Sequence, residues 1–194
     1  MTGDKSDFRV VNDFAKSTGW LHEFMADWAT YGIVLFAAVL LYGWWRSRQA
    51  GDLRTQAGLV WAGLAALLAL IVNQPIVHAA AERRPFVSMP HTLVLIHHAA
   101  DAGFPSDHAT ASGAVAVAVL LAHRRWGLIA AGIAILVAFS RVYVGVHYPI
   151  DVIAGLAIGG VIAAAGYLLA VPLLERLARA LYDSKARALV VRSR

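Results

Sequence analysis

Five long uncharged stretches limit what this chain can fold into more than any other feature of its sequence. They are residues 28–45, 55–77, 109–122, 126–140 and 152–174. A bilayer core is crossed by about 20 helical residues. Only 15% of the residues are charged, whereas a soluble domain carries about 25%. The sequence therefore predicts an all-α fold, a polytopic membrane helix bundle with about five principal transmembrane helices.

The third and fourth stretches, at 14 and 15 residues, are shorter than a bilayer requires. To cross it, the third has to extend back through His108, Asp107 and Ser106, and the fourth forward through Arg141 to about Gly145. Ionisable side chains at membrane depth are costly and normally face a bundle interior or a wet cavity, where they mark function. The two short spans therefore predict a functional site at the end they share.

The distribution of basic residues predicts the orientation of the bundle. Cytoplasmic loops of membrane proteins are enriched in Lys and Arg, and most of the 17 basic residues fall within residues 46–54, 124–125 and 176–194. We therefore expect a multi-pass protein of the inner or plasma membrane with a cytoplasmic C-terminus. The long connection at residues 83–105 then faces the extracytoplasmic side.

Residues 1–27 precede the first span and have a different pattern. Apolar side chains at Phe8, Phe14, Leu21 and Phe24 follow a helical spacing that is interrupted near Gly19. This favours an amphipathic helix in the outer interface, with a partly ordered tail as the alternative. The predicted organisation is thus an interfacial segment at residues 1–27 and a single membrane domain at residues 28–194.

The composition also excludes several kinds of chemistry. The chain has no cysteine, which excludes disulfides, thiolate metal sites and cysteine nucleophiles. Nucleic-acid binding requires a basic stripe with interleaved aromatic residues on a folded surface, and the sequence contains none. The expected partners are the lipid bilayer and a membrane lipid, and nothing in the sequence sets the oligomeric state.

Three clusters of chemically active residues fall at the same membrane face of an antiparallel five-helix bundle. They are Arg83-Arg84-Pro85-Phe86, Pro105-Ser106-Asp107-His108, and Ser140-Arg141 followed by His147 and Asp151. Arg84 and Arg141 are suited to phosphate oxygens because a guanidinium is a planar fork of donors that stays charged. Ser106, at the start of a helix, adds a hydroxyl and helix-terminal amides.

His147 and His108 are predicted to have different tasks. Pro149 suits the first turn of a helix, which sets His147 just ahead of the fifth span and Asp151 inside its first turn. A carboxylate on one ring nitrogen leaves the other free to attack, so His147 is the candidate nucleophile and Asp151 the residue that orients it. His108 is then the candidate general acid for the departing oxygen.

These residues resemble the motifs of the type 2 phosphatidic acid phosphatase superfamily. That pattern is a Lys followed by Arg-Pro, then Pro-Ser-Gly-His, then Ser-Arg with His and Asp at fixed spacing. The third motif matches fully, as Ser140-Arg141-x5-His147-x3-Asp151. The resemblance implies a phosphohistidine on His147, protonation by His108, orientation by Asp151 and phosphate binding by Arg84, Ser106 and Arg141. It also implies that no metal or other cofactor is required.

The chain departs from the family pattern at two positions. Val77 occupies the place of the motif Lys, with Arg83 or His78 as candidate substitutes, and Asp107 stands where Gly is commonest. Arg83 and Asp107 are therefore treated as accessory site residues. Residues 98–108 together with Arg84-Pro85-Phe86 resemble the branch of undecaprenyl-diphosphate phosphatases associated with bacitracin resistance.

The resemblance implies hydrolysis of a polyprenyl diphosphate, undecaprenyl diphosphate, to recycle the lipid carrier of cell-wall synthesis. Phosphatidic acid or phosphatidylglycerol phosphate is the alternative substrate, and a non-enzymatic lipid transporter or lipid-binding protein is the alternative from another class. The loop residues His91, His97, His98 and Asp101 could also form a metal site. Their spacing matches no strong metal motif, so we interpret them as loop residues near the mouth of the site.

Overall fold

The computed structural model describes residues 2–182, and within that range it consists of helices joined by loops and turns, without a β-strand. There are eight α-helices, with a short 3-10 turn at Gly19–Leu21 between the first two. They are α1 (Thr2–Ser17), α2 (His22–Tyr31), α3 (Val34–Ala50), α4 (Leu53–Ala80), α5 (Pro85–Ser88), α6 (Asp107–Ala122), α7 (Arg124–Tyr143) and α8 (Pro149–Tyr182). The predicted all-α membrane bundle is confirmed. The end of the predicted basic tail, residues 183–194, lies outside the described residues.

The helices differ in whether they can cross a membrane alone. Within the described range, α4, α7 and α8 are long and apolar enough by themselves. The unit formed by the 3-10 turn, α2 and α3 qualifies as a fourth span, bent by 60°. The predicted third span is α6, a helix of only 16 residues. By length and composition the bundle thus has three or four full spans, with α6 as a shorter apolar helix inside it.

The first predicted span, residues 28–45, is divided between α2 and α3. The helix is interrupted at Gly32 and Ile33, where a side chain on Gly32 would meet the carbonyl oxygen and indole ring of Trp28. Glycine therefore permits the chain to turn closely against Trp28. Helix α2 packs against α7 and, at an angle of 60° to α3, does not continue the axis of that helix.

Helix α6 lies at the centre of the bundle and contacts α4, α7 and α8. Its residues are mainly Ala, Val, Gly, Ser and Thr, and ten of its 16 residues are buried. A helix that is apolar on all sides is expected to be buried, and small residues allow helix backbones to approach closely. Gly155 and Gly159 of α8 are spaced as Gly-x3-Gly and face α6, so this pair packs within the bundle.

We expect substitution of Gly159 by Ala to destabilise the bundle. A methyl group there would overlap the carbonyl oxygen of Thr110 and lie 2.8 Å from the amide nitrogen of Ala114, and backbone atoms cannot rotate away. Overpacking of this kind costs about 1–3 kcal/mol. Thermal unfolding in detergent should show a lower midpoint than the unsubstituted protein.

The matched control is Gly132→Ala on α7, where no atom lies within 4 Å of the added methyl group. Replacing glycine by alanine inside an open helix face stabilises by up to about 1 kcal/mol. An unchanged midpoint for Gly159→Ala, or an equal loss for both variants, would contradict the close contact between α6 and α8.

Helix α1 lies across one end of the bundle. Its Phe8 and Ala15 are buried, and the Phe8 ring meets Tyr148 edge-on with centroids 5.5 Å apart. A carboxylate oxygen of Asp4 accepts the backbone N–H of Ile150 at 3.1 Å, in the first turn of α8. The N-terminal segment thus covers the turn that leads from α7 into α8.

Candidate active site

Four helix ends meet at one end of the bundle and enclose a cavity of about 380 Å³. They are the C-terminus of α4, the N-terminus of α6, the C-terminus of α7 and the N-terminus of α8, joined by the connection from Ala81 to Ser106. The residues lining the cavity include Gln74, Val77, His78, Arg84, His98, Asp101, Asp107, His108, Arg141 and His147. The three motif clusters, which are far apart along the chain, therefore contribute to one cavity.

His147 lies in the turn before α8 and is held by the first turn of that helix. Its Nδ1 lies 3.2 Å from Oδ2 of Asp151, and the same oxygen accepts the backbone N–H of Tyr148 at 2.8 Å. A guanidinium only donates hydrogen bonds, and Nη1 of Arg84 lies 3.0 Å from Nε2 of His147, so Nε2 carries the lone pair and Nδ1 carries the proton. Because Pro149 begins α8, the four-residue spacing places both partners on one side of the helix start.

His147 is buried, with only 3% of the residue exposed. Burial lowers the pKa of its imidazole well below the usual 6.5, and the charges of Arg141 and Arg84 act in the same direction. The ring is therefore neutral at pH 7. A neutral imidazole with a free Nε2 lone pair is the form that can act as a nucleophile.

Arg84 is held by three separate pieces of the chain. Its Nε donates to Oδ1 of Asp101 at 2.8 Å, Nη1 to the carbonyl of Val146 at 3.1 Å and Nη2 to the carbonyl of Ala102 at 3.2 Å. A guanidinium has five N–H groups, so two remain. One of these, on Nη1, points to Nε2 of His147 at 3.0 Å. Arg84 is thus oriented with donors beside the nucleophilic nitrogen.

Of the three acceptors that orient Arg84, only Asp101 is charged, and the sequence motifs did not identify this role.

We expect Asp101→Asn to lower kcat/KM about tenfold, because a hydrogen bond to a charged group contributes about 1.5–3 kcal/mol and less where one partner is exposed. Asp101→Ala, which also removes the acceptor oxygen, should cost more. The assay is steady-state phosphate release. Full activity in Asp101→Ala would show that the two carbonyls alone orient Arg84.

Arg141 is buried near the end of α7, with 2% of the residue exposed. Its Nη1 donates to the carbonyl oxygen of Ala29 at 3.0 Å, and its Nε has no hydrogen-bond partner among the described residues. Ala29 belongs to α2, so this helix secures a guanidinium that lines the cavity. Unused donors on a buried guanidinium favour an anionic ligand at this position.

The start of α6 carries Ser106, Asp107 and His108. Ser106 is fully buried as the residue preceding the helix, and its hydroxyl has no partner among the described residues. His108 is half-buried and lines the cavity, and its imidazole makes no hydrogen bond within the part of the chain that the structure describes. The first amides of a helix favour an anion, so this helix start is a candidate source of further donors. Of its residues, Asp107 and His108 line the cavity and Ser106 does not.

The accessory residues differ in whether they reach the cavity. Asp107 lines the cavity and accepts hydrogen bonds from the side-chain amide of Asn73 at 2.7 Å and from that of Gln74 at 3.1 Å. Val77, in the position of the family Lys, and His78 also line the cavity. Arg83 is exposed and is not among the lining residues. Of the two candidate substitutes for the missing Lys, the structure therefore brings only His78 to the cavity.

The four loop residues considered as a metal site separate in the structure. His98 and Asp101 line the cavity, whereas His91 lines a different groove beside α1 and His97 is exposed. Across residues 2–182, no group of three or more His, Asp or Glu residues is arranged to hold a metal ion. The part of the loop near the mouth thus joins the candidate site through His98 and Asp101.

Comparison with known proteins identifies a family and two relatives. The family model described as the PAP2 superfamily matches residues 58–173. Undecaprenyl-diphosphatase BcrC of Bacillus subtilis (strain 168) is 35% identical over 158 residues, covering 80% of this chain and 78% of the relative. The bacitracin transport permease protein BcrC of Bacillus licheniformis is 30% identical over 155 residues, covering 78% and 73%.

A solved structure has the same arrangement of helices. It is the crystal structure of the first transmembrane PAP2-type phosphatidylglycerolphosphate phosphatase from Bacillus subtilis, with a TM-score of 0.56 and 22% identity. The match covers 93% of this chain and 86% of that chain. At this identity the likeness shows the fold, a transmembrane helix bundle.

Proposed function

This chain belongs to the PAP2 superfamily, and we propose that it is a membrane phosphatase that hydrolyses undecaprenyl diphosphate to undecaprenyl phosphate and phosphate. The observation that carries the proposal is the arrangement at His147. Asp151 holds Nδ1, and a donor of Arg84 lies 3.0 Å from Nε2, the nitrogen that carries the lone pair. A nucleophile next to a phosphate-binding guanidinium, in a multi-pass membrane protein, suits a lipid carrying a terminal phosphoryl group.

The first step forms a phosphohistidine. Nε2 of His147 attacks the terminal phosphorus and forms a P–N bond, while the bond from that phosphorus to the bridging oxygen breaks. The electron pair of that bond leaves on the bridging oxygen, which takes a proton from His108. The bound diphosphate favours the protonated form of His108 beforehand, because it offsets the charges of Arg141 and Arg84. Undecaprenyl phosphate is released. Asp151 stabilises the positive charge that the imidazole acquires when its lone pair is used.

The second step regenerates the enzyme. His108, now neutral, accepts a proton from a water molecule as its oxygen attacks the phosphohistidine phosphorus. The P–N bond breaks and its electron pair returns to Nε2 of His147, so that inorganic phosphate and the original imidazole result. Both steps use the same two imidazoles, which is why two histidines suffice.

Arg84, Arg141 and Ser106 stabilise the charge that spreads over the transferred phosphoryl oxygens. The second N–H on Nη2 of Arg84 and the unpaired Nε of Arg141 are the donors left over after the protein has used the others. Because these donors are fixed before substrate binds, little reorganisation is needed in the transition state.

The positions of the helix ends support a membrane orientation. The cavity lies at the C-termini of α4 and α7 and the N-termini of α6 and α8, so Arg54, Arg124 and Arg125 lie at the opposite end. We propose that this opposite end is cytoplasmic, with the C-terminus, and that the cavity faces the extracytoplasmic side. Residues 1–27 then lie in the outer interface, where Val10, Trp20 and Phe24 expose apolar surface. Residues 28–194 form the phosphatase domain.

A panel of three lipids tests the function. Purified protein in detergent, with EDTA present, should release phosphate from undecaprenyl diphosphate faster than from phosphatidic acid or phosphatidylglycerol phosphate. A marked preference for either glycerolipid would replace the proposed substrate. Loss of activity in EDTA that returns with a divalent ion would contradict a mechanism in which arginines alone neutralise the phosphoryl charge.

The name of the Bacillus licheniformis relative contains the word permease, which makes a transporter the second candidate. A carrier moves its ligand without cleaving it. The same purified protein reconstituted in vesicles distinguishes the two, since transport of intact lipid without phosphate release would favour the carrier. Phosphate release in detergent, where there are no compartments, would exclude a function limited to transport.

A further inference from the structure

The connection before α6 brings a third imidazole to the cavity. His98 lines it together with Arg84, His108 and His147, and its side chain is 23% exposed. Its ring meets that of His147 edge-on with centroids 6.4 Å apart. His98 also lies within electrostatic range of His108. His98 is therefore close both to the nucleophile His147 and to the acid His108, and it has no task in either step of the proposed reaction.

The hydrogen bonds of His98 leave one ring nitrogen for a ligand. Nδ1 lies 3.2 Å from the carbonyl oxygen of Ala99 and 3.7 Å from Oδ1 of Asp101. Nδ1 is thus the donor in the neutral ring, and Nε2 has no partner within the described residues. The Oδ1 atom near Nδ1 is the same atom that accepts from Nε of Arg84. One carboxylate therefore supports both a phosphate-binding guanidinium and His98.

A diphosphate ester carries two phosphoryl groups, and the donors assigned above serve only the one that is transferred. The lipid-bound phosphoryl group also needs a donor, because buried anionic oxygens without hydrogen bonds are costly. Val77 is apolar, and the amide nitrogen of Gln74 already donates to Asp107. His78 lines the cavity but is exposed on α4. His98 is the remaining candidate donor for the lipid-bound phosphoryl group, since its ring is half-buried and its Nδ1 faces the carboxylate of Asp101.

We propose that His98 binds the phosphoryl group that stays on the lipid, and that this contact makes the enzyme prefer a diphosphate over a monophosphate. The inference rests on the proposed function. An imidazolium has an N–H on each nitrogen, so Nε2 can donate to the phosphoryl oxygen while Asp101 stabilises the charge at Nδ1.

The charge state of His98 responds to the ligand. Burial lowers the pKa of its imidazole in the unoccupied protein, and the charges of Arg84 and Arg141 lower it further, against the opposing effects of Ala99 and Asp101. A bound diphosphate offsets the two guanidiniums and adds negative charge beside the ring, and both effects favour the protonated form. A monophosphate places no second anionic group there, so it gains less from His98.

The test compares kcat/KM on undecaprenyl diphosphate and on phosphatidic acid for the same variants in the same detergent. His98→Ala should lose about 10- to 100-fold on the diphosphate, the range for a hydrogen bond to a charged group, and less than about threefold on the monophosphate. His98→Gln retains an N–H donor and should recover part of the loss on the diphosphate only. An equal loss on both lipids would overturn the proposal.

Two neighbouring histidines provide matched comparisons. His97→Ala removes an exposed imidazole from the same loop and should leave both rates unchanged. His78→Ala removes the other lining imidazole, and selective loss of diphosphate hydrolysis there instead of in His98→Ala would overturn the assignment. If the unsubstituted protein cleaves neither lipid, the proposed function itself fails. If the unsubstituted protein cleaves both lipids and the His98 variants lose the same factor on each, the role of His98 is refuted and the proposed function stands.

Discussion

Replacing His147 by Ala is expected to reduce phosphate release by about 10⁵-fold or more, because loss of the nucleophile removes the covalent route altogether. The residual rate comes from binding and charge stabilisation by the remaining donors. Phosphate release from undecaprenyl diphosphate measures the effect. A second readout is the covalent intermediate, since terminally labelled substrate quenched in alkali should leave label on the unsubstituted protein and none on the variant.

Loss of activity in this variant could reflect poor folding, because Ala leaves the buried Asp151 carboxylate with fewer partners. His147→Asn separates the two effects, since its amide nitrogen can occupy the position of Nδ1 and donate to Asp151. This variant should keep the unfolding midpoint and remain as inactive as Ala. Substantial turnover by His147→Asn, or label on another residue, would exclude His147 as the nucleophile.

Replacing His108 by Ala is expected to reduce turnover of the lipid diphosphate by about 10²- to 10⁴-fold, the usual contribution of a general acid or base. The variant should fold normally, because the His108 ring is half-buried and makes no hydrogen bond within the described residues. Thermal unfolding in detergent checks this before kinetics are compared.

A substrate with an activated leaving group separates the two roles of His108. Dinitrophenyl phosphate expels an oxygen that needs no proton, so phosphohistidine should still form in His108→Ala, while its hydrolysis lacks a base. A burst of one dinitrophenolate per enzyme should precede a slow steady state, and label should accumulate on His147. Absence of a burst, with the first turnover slowed as strongly as on the lipid, would exclude proton donation as the task of His108.

The apolar stretches were sufficient to predict the fold class. A span has to satisfy its backbone hydrogen bonds internally within lipid, so about 20 apolar residues in a row specify a helix whatever surrounds them. The division of the first span between α2 and α3 was not predicted, because it rests on a close turn of the chain at Gly32 against Trp28. Whether the chain bends at a glycine depends on the packing of α2 against α7, which hydropathy alone does not report.

The chemical identity of the candidate site was also accessible from local pattern. The spacing of Ser140, Arg141, His147 and Asp151 follows from the geometry of one helix end and the next helix start, so it appears in the sequence as a motif. The structure brings Arg141 and His147 of this motif to one cavity with Arg84 and His108. Successive spans cross the membrane in opposite directions, and this was enough to predict that the three clusters share a membrane face.

The hydrogen-bond acceptors that hold the two arginines could not be predicted from local sequence pattern. Arg141 donates to Ala29, 112 positions away, and Arg84 to Val146, 62 positions away. The acceptors are backbone carbonyls, which every residue possesses, so no residue type identifies them.

The sequence by itself determined a helical membrane protein and the set of histidines and arginines available for phosphoryl chemistry, because hydrophobicity and motif spacing are local properties. Only the tertiary structure decided which loop side chains enter the cavity and how many donors of each arginine remain free. The reason is that these depend on distances between segments far apart in the chain, and packing sets those distances. His98 and His97 are adjacent histidines, yet only His98 lines the cavity.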